Sequence, residues 1–107
     1  MTIDIAHPPL PGPQAEDALD EALRTALRSN SVRVVKIIHG YGSGGTGGAL
    51  RTVARNWAYR NRARLHASIP GEEITSGEGL RLAAACGLTP TGDLGGDNPG
   101  VTILWVR

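Results

Sequence analysis

The chain has 107 residues, 40% hydrophobic and 20% charged, with a formal net charge of +1. That length favours a single domain spanning residues 1–107, able to bury a core without metal or disulfide staples. No apolar run approaches the roughly 18 residues that cross a bilayer, so no membrane association is expected.

The first six residues, MTIDIA, read as a short edge strand within an extended N-terminal segment, residues 1–14. His7 to Gln14 contains four prolines, which remove backbone donors and fix φ, so it is read as an extended connector rather than a helix. A helix is predicted from Ala15 to Ser29. Ala15, Ala18, Leu19, Ala22, Leu23, Ala26 and Leu27 recur at the spacing of one buried stripe. Glu16, Asp17, Asp20 and Glu21 at its start and Arg24 and Arg28 at its end would complement the helix dipole.

Val32 to His39 is β-branched and nearly all apolar, a strand expected to be covered on both faces. Gly40 to Gly48 follows, with six glycines in nine residues. A second helix is predicted from Gly47 to Asn61, with Leu50, Val53, Ala54, Trp57 and Ala58 as its core stripe. Arg51, Arg55 and Arg62 fall on another side at neighbouring helical positions. Leu65 to Ile69 reads as a strand stopped by Pro70-Gly71. Residues 75–87 suggest a third helix with Leu80, Ala83 and Ala84 as its apolar set and Gly87 as its stop. Residues 88–100 form a turn-rich loop, and Val101 to Val106 is the last strand. The order β-α-β-α-β-α-β defines a layered α/β domain.

Charge is segregated along the chain. Residues 22–71 hold nine of the eleven basic residues and none of the ten acids. A positive surface of this kind draws phosphate backbones by counterion release. The lone cysteine, Cys86, cannot form an internal disulfide, and no Cys/His spacing suggests zinc. The N-terminus lacks the basic start and apolar core of a secretion signal. Both features fit a reducing cytoplasm.

The glycine segment between a strand and a helix is the most specific feature. Glycine lets a ligand approach bare amides, and a helix amino terminus presents unpaired N–H groups to an anion. Gly40-Tyr41-Gly42-Ser43-Gly44-Gly45 has the letters of a dinucleotide fingerprint, but the acid expected about twenty residues later is replaced by Arg60, Arg62 and Arg64. A triphosphate loop would end in Gly-Lys-Ser/Thr, whereas this one ends Gly47-Gly48-Ala49.

Ile37-Ile38-His39-Gly40-Tyr41-Gly42 resembles the His-Gly-x-Gly motif of Smr (small MutS-related) domains, placed after an apolar strand and before a helix. Gly100-Val101-Thr102-Ile103-Leu104 resembles the family's last strand. Ile3-Asp4-Ile5 resembles its opening Leu-Asp-Leu-His motif, with His7 one residue later than the motif has it. Ile69-Pro70-Gly71-Glu72 adds a likeness to short stand-alone bacterial members. The resemblance implies a two-layer α/β sandwich like the C-terminal domain of translation initiation factor three, with residues 74–92 as an insertion. It implies DNA or RNA as partner and, in many members, nicking or endonucleolytic cleavage.

On that basis His39 is the candidate general base or acid, with Asp4 orienting it and His7 assisting. Gly40, Tyr41, Gly42, Gly44 and Gly45 are candidates for approach to phosphate or, for Tyr41, for stacking on a base. Arg51, Arg55 and Arg62 are candidate phosphate contacts. No organic cofactor is required. A divalent metal is compatible with the chemistry, although no ligand cluster demands one. A non-catalytic nucleic-acid-binding module and a protein-interaction adaptor remain open as alternatives.

Overall fold

The computed structural model describes residues 1–40 and 47–107. The elements are β1 (Thr2–Asp4), α1 (Gly12–Arg28), β2 (Val34–Ile38), α2 (Gly47–Arg60), β3 (Ala67–Pro70), α3 (Gly77–Cys86) and β4 (Val101–Trp105), with 3-10 turns at Arg62–Arg64 and Gly71–Glu73. They build one four-stranded sheet in the order β1-β2-β4-β3. β1 runs parallel to β2, with α1 as the crossover that a parallel pair requires. β4 runs antiparallel to both β2 and β3.

Strand alternation divides the core in two. Val35 and Ile37 of β2 and Leu104 of β4 face α1 and α2, where they pack with Leu19, Leu23, Ala54 and Trp57. This sheet and helix pair are the two layers of an α/β sandwich. Val101, Ile103 and Trp105 face the other way, against Ile69, Ile74, Leu82 and Leu94. α3 and the following loop therefore cover the second face over β3 and β4, and all five residues of β4 are buried.

α1 starts at Gly12, three residues before the predicted boundary, with Pro13 in its first turn. The prolines that suggested a connector are accommodated because a first-turn residue has no intrahelical partner for its N–H. The Pro11 carbonyl accepts the Ala15 N–H at 2.8 Å. The earlier start leaves no acid in the first turn, so Glu16 and Asp20 do not serve the helix dipole. They face α2 instead: Asp20 accepts a 2.8 Å hydrogen bond from the Trp57 indole N–H, and Glu16 pairs with Arg60. The free carbonyls at the end of α1 are met by the Arg107 guanidinium, 2.9 Å from the Ala26 oxygen and 3.1 Å from that of Leu27.

The apolar face of α3 also differs from expectation. Leu80 is 49% exposed and Ala84 is exposed, whereas Gly79, Leu82 and Ala83 are buried. A short run of leucines and alanines fits more than one helical stripe, and the glycine decides between them. A Cβ on Gly79 would stand 2.2 Å from the Ile74 carbonyl oxygen, so this turn of the helix is pressed directly onto backbone. Gly71 is as tightly placed: a Cβ there would lie 2.1 Å from the Asn98 oxygen and 2.7 Å from that of Val101.

Gly71→Ala is expected to lower stability by about 3 kcal/mol, at the upper end of overpacking costs, because both obstacles are main chain. Leu80→Ala, on the exposed face of α3, is expected to change it by no more than about 0.5 kcal/mol. Denaturant titration of both variants checks the pair; equal effects would refute the packing assigned to α3 and Gly71.

Candidate functional site

The end of β2 and the start of β4 meet where the main-chain N–H groups of His39 and Gly40 both donate to the Gly100 carbonyl at 3.0 Å. Asn98 holds Gly100 in place by accepting its N–H at 2.8 Å. From this junction functional side chains leave on opposite faces of the sheet.

On the helix-covered face, His39 is fully buried. Its Nδ1 lies 2.6 Å from the Gly40 carbonyl and its Nε2 lies 2.8 Å from Thr102 Oγ1. A carbonyl can only accept, so Nδ1 carries the proton and Nε2 accepts from the Thr102 hydroxyl. Thr102 in turn accepts from Arg55 Nε at 3.3 Å. Arg55 then closes a two-pronged ion pair with Glu72, at 2.6 and 3.1 Å. The result is a directed chain, Glu72–Arg55–Thr102–His39–Gly40. Burial, followed by the nearby Arg55 and Arg51 charges, depresses the His39 pKa from 6.5 despite the opposing bond to Gly40. The ring is therefore neutral near pH 7, with both nitrogens engaged. Arg55 holds the Glu72 carboxyl below its usual range.

Asp4 does not reach this chain. It is paired in register with Ile38, the neighbour of His39, and successive strand residues point to opposite faces. The expectation that Asp4 orients His39 thus meets a sheet in between. Asp4 oxygens instead accept the Ala6 N–H at 2.8 Å, the His7 N–H at 3.1 Å and the His7 ring Nδ1–H at 2.9 and 3.1 Å. Slight burial pushes the Asp4 carboxyl up, but these bonds outweigh it and hold its pKa below the ordinary value. Because the carboxylate takes Nδ1–H, the neutral His7 ring keeps its Nε2 lone pair. His7 is exposed and borders a cavity of about 250 Å³ with Lys36, Ile38, Gly40, Asn98, Gly100 and Val101. Among the described residues no carboxylate lines that cavity.

The arginines of the acid-free stretch have separate fates. Arg55 is held by Glu72 and Arg60 by Glu16. Arg51 is half-buried near the start of α2 and makes no ion pair among the described residues. Arg62 lies over the Tyr59 ring. Tyr41, Gly42, Gly44 and Gly45 lie outside the described residues. Among those described, no group of three or more His, Cys, Asp or Glu side chains could hold a metal ion, and no helix is long and apolar enough to cross a membrane.

Sequence reading did not single out Thr102, Glu72 or Lys36 as site residues. Thr102 is the lone polar side chain inside an apolar strand, and Glu72 is the first acid after fifty acid-free positions. Lys36 interrupts the apolar run of β2 at the position paired with Ile103. Each of these breaks in pattern was a usable signal.

A four-stranded mixed sheet with two helices packed on one face, and a junction of His-Gly against Gly-x-Thr at its strand ends, defines a small α/β-sandwich class. A family model for the Smr domain matches residues 9–81, and the chain belongs to the Smr domain family. Its fold is similar to the crystal structure of the Smr domain of Thermus thermophilus MutS2, with a TM-score of 0.62 at 22% identity, over 99% of this chain and 96% of that one. No curated protein matches the chain.

The depressed His39 pKa fixes a sign for pH dependence. Below 6.5 an unfolded histidine binds a proton that the buried neutral ring refuses until lower pH. The unfolded state then holds more protons, so stability is full above that value and is lost as pH falls below it. The thermal midpoint is expected to fall between pH 6.5 and about 5, above the range of most carboxylate titration. His39→Gln should flatten that limb; an unchanged slope would mean the buried ring is not its source.

Proposed function

We propose that this chain binds DNA or RNA at the cavity bordered by His7, Lys36 and Gly40, and that His7, oriented by Asp4, cleaves phosphodiester bonds there. The observation that supports this reading is the exposed His7 ring with Nδ1 committed to Asp4, bordering an acid-free cavity beside Lys36 and Gly40. A carboxylate that accepts Nδ1–H fixes the tautomer in which Nε2 is the base. In the proposed reaction Nε2 takes the proton of the attacking hydroxyl or water as that oxygen bonds to phosphorus. The bond from phosphorus to the leaving oxygen breaks, that oxygen takes a proton from the His7 imidazolium or from water, and the Lys36 ammonium offsets charge growing on the phosphate oxygens. Arg51 adds positive charge at the start of α2.

His39 has a different part in this scheme. Buried and hydrogen-bonded at both nitrogens, it is a positioning residue that fixes Gly40 at the cavity rim. The reaction as written uses no organic cofactor. Its dependence on a divalent metal is one of the variables of the test.

Labelled single- and double-stranded DNA and RNA, offered at two salt concentrations with and without magnesium or manganese, test the reading. Binding should weaken steeply with salt. His7→Ala should slow cleavage by about 100-fold or more while leaving affinity within a few-fold. Wild-type protein that binds without cutting would leave a non-catalytic module, and a flat salt response would remove nucleic acid as the partner.

A further inference from the structure

Tyr59 has no part in the site described above, yet the residue is 65% exposed near the end of α2. Burial does not account for an aromatic residue left mostly in water. The Arg62 guanidinium lies over one face of the ring, 3.9 Å from its centroid, and its Nη1 donates to the Tyr59 carbonyl at 2.7 Å. Arg62 and Arg64 begin and end a 3-10 turn. That turn is fastened to the helix: Arg64 Nη1 donates to Asn61 Oδ1 at 3.3 Å, and Asn61 Nδ2 donates to the Trp57 carbonyl at 2.9 Å. A cation-backed aromatic ring thus stands on a braced surface.

Its placement on the helix is as informative. Arg51, Arg55 and Tyr59 occupy positions i, i+4 and i+8, one ridge of α2. The ridge rises about 12 Å from Arg51 to Tyr59, the span of three or four stacked nucleotides. A strand whose phosphate sits near Arg51 would pass its bases toward Tyr59.

We propose that Tyr59, backed by Arg62, is a stacking platform for an unpaired nucleobase, with Arg64 of the following turn adding positive charge for the adjoining phosphates. This inference rests on the nucleic-acid reading and narrows it to substrates with a single-stranded segment. In a continuous duplex both faces of each base are covered by neighbours, so only an unpaired base can lay its face on the ring. Stacking of this kind tolerates any base, because each has a π face.

The test compares short labelled single strands, DNA and RNA, with blunt duplexes of the same sequence, for wild type, Tyr59→Ala and Tyr59→Phe. Tyr59→Ala should weaken single-strand binding roughly tenfold or more, within the range of one lost base–aromatic stack. It should leave duplex binding and the thermal midpoint unchanged, since the side chain is exposed. Tyr59→Phe keeps the ring and should bind like wild type. Single-strand affinity within twofold of wild type in Tyr59→Ala, or an equal loss for duplex, overturns the platform and leaves nucleic-acid binding standing. Absence of binding to every strand at low salt overturns both.

Discussion

A buried imidazole needs a partner for each nitrogen, since an unmet polar group in a packed interior is costly. At the end of β2 that requirement organises the molecule. His39 is met by a carbonyl one residue on and by the hydroxyl of Thr102 on the neighbouring strand. Thr102 is then bound to Arg55 of α2, and Arg55 to Glu72 beyond β3. Four segments of the chain are registered against one another by one polar chain through an apolar core. Gly71 makes the last link feasible, because only a residue without a side chain fits against Asn98 and Val101 and so sets Glu72 beside Arg55.

The arginine content has to be read through this economy. Arg33 and Arg107 donate to carbonyls at the ends of α3 and α1, 2.9 Å from the Ala85 and Ala26 oxygens. Arg24, Arg55 and Arg60 are paired with carboxylates. A cluster of basic residues in the sequence is therefore partly internal bracing. Lys36 at the cavity, Arg51 on α2, and Arg62 and Arg64 beyond its end make no ion pair among the described residues. Lys36 lies on the sheet face opposite α2, so these cations do not make up one broad basic face.

Strand parity separates the two histidines that the sequence offered as one team. His39 points into the helix layer, where water and substrate are excluded. Asp4 points to the opposite face and, with His7 only three residues away, forms a pair of its own at the surface. The extra residue between Asp4 and His7, relative to the Smr opening motif, does not part them: the chain turns after Asp4, and the turn brings Nδ1 back to the carboxylate. A spacing rule drawn for a continuous strand does not hold where the strand ends.

The element order and the stripes of α1 and α2 were legible in the sequence, because apolar periodicity records which face must leave water. Ala15, Leu19, Leu23, Ala54 and Trp57 are buried as their spacing requires. The His-Gly junction was legible too, since its residue types and neighbours are local. Three things were not. The start of α1 was hidden by prolines that a first helical turn accepts. The stripe of α3 was hidden because a glycine pressed onto backbone leaves no hydropathy signal. The fate of each charge was decided only in the tertiary structure, because partners such as Arg55 and Glu72 meet through strand order and register, and no local pattern encodes a distance between elements that touch only after the chain has folded.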